Sequence, residues 1–405
     1  LNNTAQRRPQ IVRNRYRPTP SQERQSPATH LVDRAVGPSG LPLLRTSERG
    51  TFQRCRFKWY LEFYEQLKPD TDAPPLRFGT LVHSALAEFY LPGIKRGHKP
   101  AETFMRLYEA DLASTPGYSE AELDEAWAEH ADLGVVMLER YYDHYGADDE
   151  WEVLVTEWPF QTIVYHPVRQ APWFWYVGIL DGVWRNRITG KKVIPDHKTT
   201  QSIQFNYLAM DRQATSYWTF GVDAMIEQGL LKPDGSEMLD GMLFNFLRKA
   251  KRDERPRDEE GQYRNKPTKK NYIEALGTNG LQLTLQQLKA LAEERGIEVL
   301  GDESKRQPVP YHARVPIYRD WYERESARRM VQAEFEDMER VGRDARNTRK
   351  IPPTAYKNGG QFTCPSCWAF DICELHEIGG DWVEMKDMTT HEWSPYSEHE
   401  IREGR

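Results

Sequence analysis

The stretch GILDGVWRNRITGKKVIPDHKTT, residues 178–200, decides how this chain folds. Residues 173–184 (WFWYVGILDGVW) are aromatic and β-branched and read as a strand. Arg187-Ile188-Thr189-Gly190 reads as a turn, and residues 192–198 (KVIPDHK) as the next strand. Side chains at i and i+2 of a strand share a face, so Asp196 and Lys198 project together. A hairpin-like connection brings Asp181, read as the end of the first strand, beside them. Both carboxylates close apolar segments, Ile179-Leu180 and Val193-Ile194, where a buried charge needs a metal or a partner.

Outward from this hairpin, residues 151–158 alternate like a strand that residues 161–166 can pair with. Upstream, residues 46–65 read as an amphipathic helix behind a Thr/Ser cap, 79–90 as a second, and 101–113 and 119–146 as further helices. Downstream, a helix covers about 205–228, a strand 240–247, and helices 283–295 and 318–343. The order helix, strands, helix, strand predicts an α/β fold with a mixed central sheet flanked by helices. Residues 1–40, rich in Pro, Ser, Gln and Arg, read as a disordered basic arm, with six arginines against one glutamate in residues 1–30. Residues 41–250 hold the helical part and the core. Residues 251–315 read as a charged insertion that opens on an exposed, mobile charge run at 249–270. Residues 316–379 carry the last helix and a cysteine cluster, and 380–405 a polar tail.

The chain has 405 residues, 39% hydrophobic and 29% charged, with a net charge of -6. It is no general polycation, so any nucleic-acid surface is local. It has no apolar run of about eighteen residues, and its first residues lack the apolar stretch of a secretory signal, so none is expected there. A soluble, cytoplasmic protein without membrane partners is expected.

Two carboxylates and a lysine on adjacent strands suit phosphodiester hydrolysis. The carboxylates hold a hard divalent cation through oxygen, which polarises phosphate and acidifies water. The lysine orients or deprotonates that water, or balances developing charge. By itself the D…D-x-K pattern is also what a surface ion pair would show. Its setting is more specific. Gly178 to Val183, followed by Val193 to Thr200, resembles the core of RecB-type PD-(D/E)XK nucleases, G-x-x-D then an apolar pair before D-x-K-T. Phe78-Gly79-Thr80-Leu81-Val82-His83 is similar to that family's G-x-x-x-H helix, whose histidine is a metal ligand. Gln213-Ala214-Thr215-Ser216-Tyr217 is similar to its Q-x-x-x-Y helix; Gln213 and Tyr217, one turn apart, share a face. The resemblance implies a restriction-endonuclease-like fold, catalytic residues Asp181, Asp196, Lys198, Gln213 and Tyr217, and Mg²⁺ or Mn²⁺ at His83, Asp181 and Asp196. Glu157 is a further ligand, a group that supports the ligands from beside them, or a surface glutamate.

The cysteines are Cys55, Cys364, Cys367 and Cys373, the last three within ten residues. Four cysteines in a large chain argue against a disulfide framework. One Cys₄ site fits them, whether an iron–sulfur cluster or zinc, to which His376 would add a donor; buried free thiols are the remaining reading. An upstream cysteine with a C-terminal triplet resembles the staple of AddB-type and CRISPR-associated RecB-like exonucleases. That likeness implies a 4Fe–4S cluster tying the N-terminal helix to the C-terminal end of the nuclease domain.

Arg248, Lys249, Lys251 and Arg252 read either as a phosphate channel or as a solvated charge run. Phe57, Trp59 and Tyr60 read as core aromatics or as base-stacking rings. No G-x-x-x-x-G-K-S/T motor motif occurs. The expectation is a stand-alone, metal-dependent DNA exonuclease acting on DNA ends or single strands, with recombination or CRISPR-associated proteins as partners. The alternatives are a catalytically silent DNA-end-binding iron–sulfur protein and a structure- or site-specific endonuclease.

Overall fold

The computed structural model describes residues 37, 40–69, 74–113, 120–234, 239–250, 255–279, 282–307, 309–348 and 351–396. The expected basic arm lies outside them up to residue 36, as do Lys251 and Arg252. A short strand β1 (Leu43–Leu44), helix α1 (Thr46–Arg54) and one turn α2 (Arg56–Trp59) lead into a π-helical turn at Tyr60–Tyr64. Strand β2 (Leu67–Pro69) and helices α3 (Pro74–Phe89), α4 (Pro100–Ala113) and α5 (Glu120–Tyr145) follow. Next come β3 (Trp151–Tyr165), β4 (Pro172–Asn186), β5 (Lys192–Thr200), α6 (Arg212–Ser216), a π-helical turn at Tyr217–Gly221, α7 (Val222–Glu227) and β6 (Leu239–Arg248). Helices α8 (Lys269–Leu276) and α9 (Leu285–Glu294) precede β7 (His312–Ile317). Helices α10 (Trp321–Thr348), α11 (Phe370–Ile378) and α12 (Trp382–Thr389) lead to β8 (Thr390–Glu392).

Strands β4, β5, β6 and β7 lie side by side, with β5 and β6 parallel and the other two pairs antiparallel. Strand β3 lines the whole other edge of β4. The mixed sheet is sandwiched, as expected. On one face Trp184, Val193, Leu243 and Leu247 pack with Phe78, Val82 and Leu86 of α3 and with Phe104 and Leu138 of α4 and α5. On the other, Ile194, Phe244 and Phe246 pack with Phe220, Met225, Val331 and Phe335. Each such buried side chain contributes about 1.5–3 kcal/mol. Among the described residues no helix is long and apolar enough to cross a membrane.

The sheet opens where the sequence promised a plain hairpin. Strands β4 and β5 pair only at Trp184↔Val193 and Arg185↔Lys192, beside a turn closed by Asn186. Beyond that they separate, and β1 takes up the same edge of β4 at Trp175 and Tyr176. Asp181 therefore sits mid-strand at the opening rather than at a strand end. Gly178 lies there too: a Cβ on it would stand 2.6 Å from the Phe160 ring and 3.2 Å from that of Tyr217.

Several expectations are corrected. Residues 151–166 form no hairpin; β3 is one strand with a bulge between Val153 and Val155. The helix read across 46–65 breaks at Cys55, which is extended (φ -162°, ψ 114°). The helix read from 205 begins at Arg212, where the Asp211 carboxylate accepts from the Ala214 N–H (2.8 Å). The described part of the charge run is not free: Arg257 bridges to Tyr263 and Arg264 to Glu303, with Tyr263 buried. Helices α8 and α9 close a small core of Leu276, Leu288 and Ala292. Strand β7, which begins inside the stretch read as insertion and runs past its end, belongs to the central sheet. The polar tail is also structured up to residue 396. Strand β8 pairs with β2, and the Tyr396 hydroxyl donates to the Leu43 carbonyl (3.2 Å). Phe57, Trp59 and Tyr60 are all buried, so they are core aromatics and offer no stacking surface.

Candidate active site

Alternation along β5 divides the site. Asp196 and Lys198 turn toward α6, and His197 between them turns toward α3. The Lys198 ammonium donates to Asp196 Oδ1 (3.1 Å) and to Gln213 Oε1 (2.6 Å). Gln213 Nε2 in turn donates to the Tyr217 hydroxyl (3.2 Å). The expected face-sharing of Gln213 and Tyr217 is thus realised as a relay that fixes the lysine. Tyr217 opens the π-helical turn, a distortion frequent at functional sites. A cavity of about 260 Å³ lined by Arg45, Thr46, Ser47, Gly178, Gln213 and Tyr217 opens at the gap in the sheet.

Asp181 fills the gap between β4 and β5. Its Oδ2 accepts the His197 backbone N–H (2.6 Å), a donor that sheet pairing would otherwise use. Its Oδ1 lies 3.3 Å from His83 Nδ1 on α3. Directly across β3, between the pairs Thr156↔Gly182 and Trp158↔Leu180, stands Glu157. Its φ is +43°, a conformation costly for a residue with a side chain. His83, Glu157 and Asp181 each place one donor atom within 4.8 Å of the others. Glu157 is exposed to solvent, yet its carboxylate stands with these two donors. Asp196 stands outside this trio and pairs with Lys198.

The charges show what the trio lacks. Burial would lower the His83 pKa, but Asp181 overrides it and holds the imidazole up at about 9. Burial also works against the Asp181 charge, yet His83 and the His197 N–H keep its carboxyl below the usual range. Burial and then Asp181 push Glu157 up to about 7. Burial raises Asp196 to about 6, against the pull of Lys198 and with repulsion from Asp181. Lys198 is held above the ordinary lysine range: burial opposes its charge, but Asp196 outweighs burial. Asp196 Oδ2 accepts no well-aligned hydrogen bond, although Lys198 Nζ is 2.8 Å away. Three crowded carboxyls, two pushed toward neutrality, beside an imidazole are a donor set that fits a hard divalent cation.

His197 opens a second constellation that sequence reasoning missed. Burial pushes its imidazole down to about 3, so it is neutral. Its Nδ1 meets Asn245 Nδ2 (2.8 Å), and Asn245 donates to Tyr141 (2.8 Å). Tyr141 contacts Tyr90 (2.6 Å), and Tyr90 donates to Asp148 (2.8 Å). Arg314 of β7 closes the chain with bonds to both Asp148 oxygens (2.8 and 2.5 Å). The signal in the sequence was Asn245, a lone amide inside GMLFNFL.

The four cysteines converge without a disulfide. Burial pushes the Cys373 thiol up to about 11; Lys357 opposes this, and Cys55, Cys367 and Cys364 each raise it further by charge. The break at Cys55 leaves that thiol at a helix junction, and Cys364 and Cys367 lie on successive turns before α11. The two chain segments interlock: Phe57 N–H donates to Tyr356 (3.2 Å) and Trp368 Nε1 to Glu62 (2.7 Å). His376 Nδ1 faces Lys357 (3.0 Å).

The family model described as the PD-(D/E)XK nuclease superfamily matches residues 46–374, most of the chain. The protein belongs to that superfamily. None of the curated proteins compared with the chain matches it.

Proposed function

We propose that the protein is a metal-dependent DNA exonuclease of the RecB-like kind, with Mg²⁺ or Mn²⁺ at its active site. The observation that carries this reading is the closure of His83, Glu157 and Asp181 to within 4.8 Å beside the Asp196–Lys198 pair. Asp181, His83 and Glu157 would hold the ion, with Asp196 adjoining. A bound divalent cation supplies charge to the phosphate and lowers the pKa of water. Lys198, held protonated by Asp196 and oriented by Gln213, stabilises negative charge on the phosphate and does not act as the base. Tyr217 fixes Gln213, and so fixes the lysine.

The test is cleavage of labelled linear and covalently closed circular DNA with Mg²⁺ or Mn²⁺. An exonuclease degrades the linear form and leaves the circle intact, and Lys198→Ala lowers the rate by about 10²–10³. Discrete cuts in the circle would favour an endonuclease. Equal inertness of wild type and Lys198→Ala on ends, flaps and single strands would overturn the enzyme reading.

Cys55, Cys364, Cys367 and Cys373 would hold a 4Fe–4S cluster that ties α1 and α2 to the segment before α11. Anaerobically purified protein should contain about four irons per chain; zinc without iron would reject the cluster.

A further inference from the structure

The rim of the active site carries aromatic rings that the fold does not bury. Phe205 and Tyr207 lie on the loop that leaves β5 just after Lys198, and they are 49% and 44% exposed. Phe205 stands 5.9 Å from the ring of Phe246, whose Cα pairs with Lys198 across the sheet. Burial and the Asp211 charge raise the Tyr207 hydroxyl, with smaller and opposed effects of Lys198 and Asp196. Both rings therefore border the catalytic face.

The loop itself is pinned. Thr200 Oγ1 donates to the Ser202 carbonyl (2.8 Å) at its start. Leu208 is buried and its carbonyl accepts from Arg319 Nη2 (2.9 Å). Asp211 caps α6 at its end. Rings held out on a fixed loop lose little freedom when a ligand stacks on them.

A cation lies across β5 from these rings. The Lys249 N–H donates to the Thr200 carbonyl (2.7 Å), and its ammonium sits 4.7 Å from the centre of the Phe78 ring. Gly79, next to Phe78, faces Thr199. Among the described residues no carboxylate pairs with Lys249, and burial alone lowers its pKa. Arg248 is different: its guanidinium folds onto Tyr311 (4.6 Å) and donates to the Val309 carbonyl.

We propose that this rim seats single-stranded DNA, with unstacked bases on Tyr207 and Phe205 and a backbone phosphate at Lys249. Rings match exposed π-faces, which a blunt duplex does not offer, and a cation that faces no carboxylate among the described residues matches phosphate. The proposal rests on the nuclease reading for its direction and names the substrate class of that site.

Two measurements separate the two readings. In EDTA, where no metal-dependent cleavage occurs, an oligonucleotide carrying 2-aminopurine near its end reports stacking as quenched fluorescence. Wild type quenches it; Tyr207→Ala and Phe205→Ala weaken binding about tenfold each. Tyr207→Trp retains quenching, whereas Tyr207→Leu does not. Lys249→Gln reduces the salt slope of single-strand binding by about 0.7. With Mg²⁺, Tyr207→Ala raises KM for the single strand about tenfold, with kcat and the blunt-duplex KM unchanged. Both rings are half-exposed, so the variants keep the wild-type melting temperature. Equal loss on single strand and duplex, or quenching that Tyr207→Leu preserves, overturns the stacking proposal. Quenching without cleavage of any DNA overturns the nuclease reading alone.

Discussion

The two faces of β5 present the same kind of ion pair in opposite circumstances. On the α3 side the Arg314–Asp148 pair ends a chain of hydrogen bonds in which each link has a buried partner. On the α6 side the Lys198–Asp196 pair leaves one Asp196 oxygen without a good donor and its carboxyl raised, and at the gap in the sheet it adjoins Asp181 and the raised Glu157, which sits at positive φ. Burial costs charge on both faces. Satisfaction marks the face that holds the strand, and its absence marks the face poised for a ligand. His197 joins them, because its ring belongs to the first and its N–H fixes Asp181 in the second.

The largest effect should separate the two pairs. Arg314→Met leaves Asp148 buried without its cation, so denaturant unfolding should show a loss of about 3–5 kcal/mol. Lys198→Met should cost less, because Asp196, already raised to about 6, can take up a proton once the lysine is gone. Equal losses in the two variants would erase the distinction.

A smaller effect concerns Glu157. Glycine adopts positive φ without steric cost, so Glu157→Gly should stabilise the metal-free protein by about 1 kcal/mol. The same change should weaken the Mg²⁺-induced rise in melting temperature. A less stable variant in EDTA would mean that Glu157 has a structural task its strained backbone does not suggest.

These contrasts explain what could be read in advance. The Asp196–Lys198 pair was legible because strand periodicity is local, and His83, Gln213 and Tyr217 because their motifs are short. The opening of the sheet was not legible, because it depends on β1 reaching the edge of β4 from more than a hundred residues away. Arg314 and Asp148, separated by 166 positions, have no shared local pattern. Residues 151–158 and 161–166 looked like a strand and its partner, although one continuous strand covers both. In the fold, Glu157 is a strained position within one strand, facing Asp181. The tail looked polar by composition, yet Trp382, Trp393 and Tyr396 were the signal that it packs. Trp382 stands against His376 (5.3 Å), and Trp393 donates to the Glu62 carbonyl (3.1 Å).

The finest test of the ligand-ready face is its pH dependence. In the metal-free protein His83 is raised from 6.5 to about 9. A raised histidine stabilises fully below its unfolded value, and that contribution is lost as pH climbs through about 9. Glu157 and Asp196, raised to about 7 and about 6, hold protons more tightly when folded, so ionising them also lowers stability as pH rises. Asp181 has the opposite sign: its depressed pKa stabilises above the ordinary carboxylate value and fails only in acid. The melting temperature in EDTA should therefore fall between about pH 6 and about pH 9. A divalent cation needs His83 neutral and the carboxyls ionised, so it competes with those protons. The rise in melting temperature on adding Mg²⁺ should accordingly be larger at about pH 9 than at about pH 6. A Mg²⁺ effect independent of pH would detach the cation from His83 and Glu157.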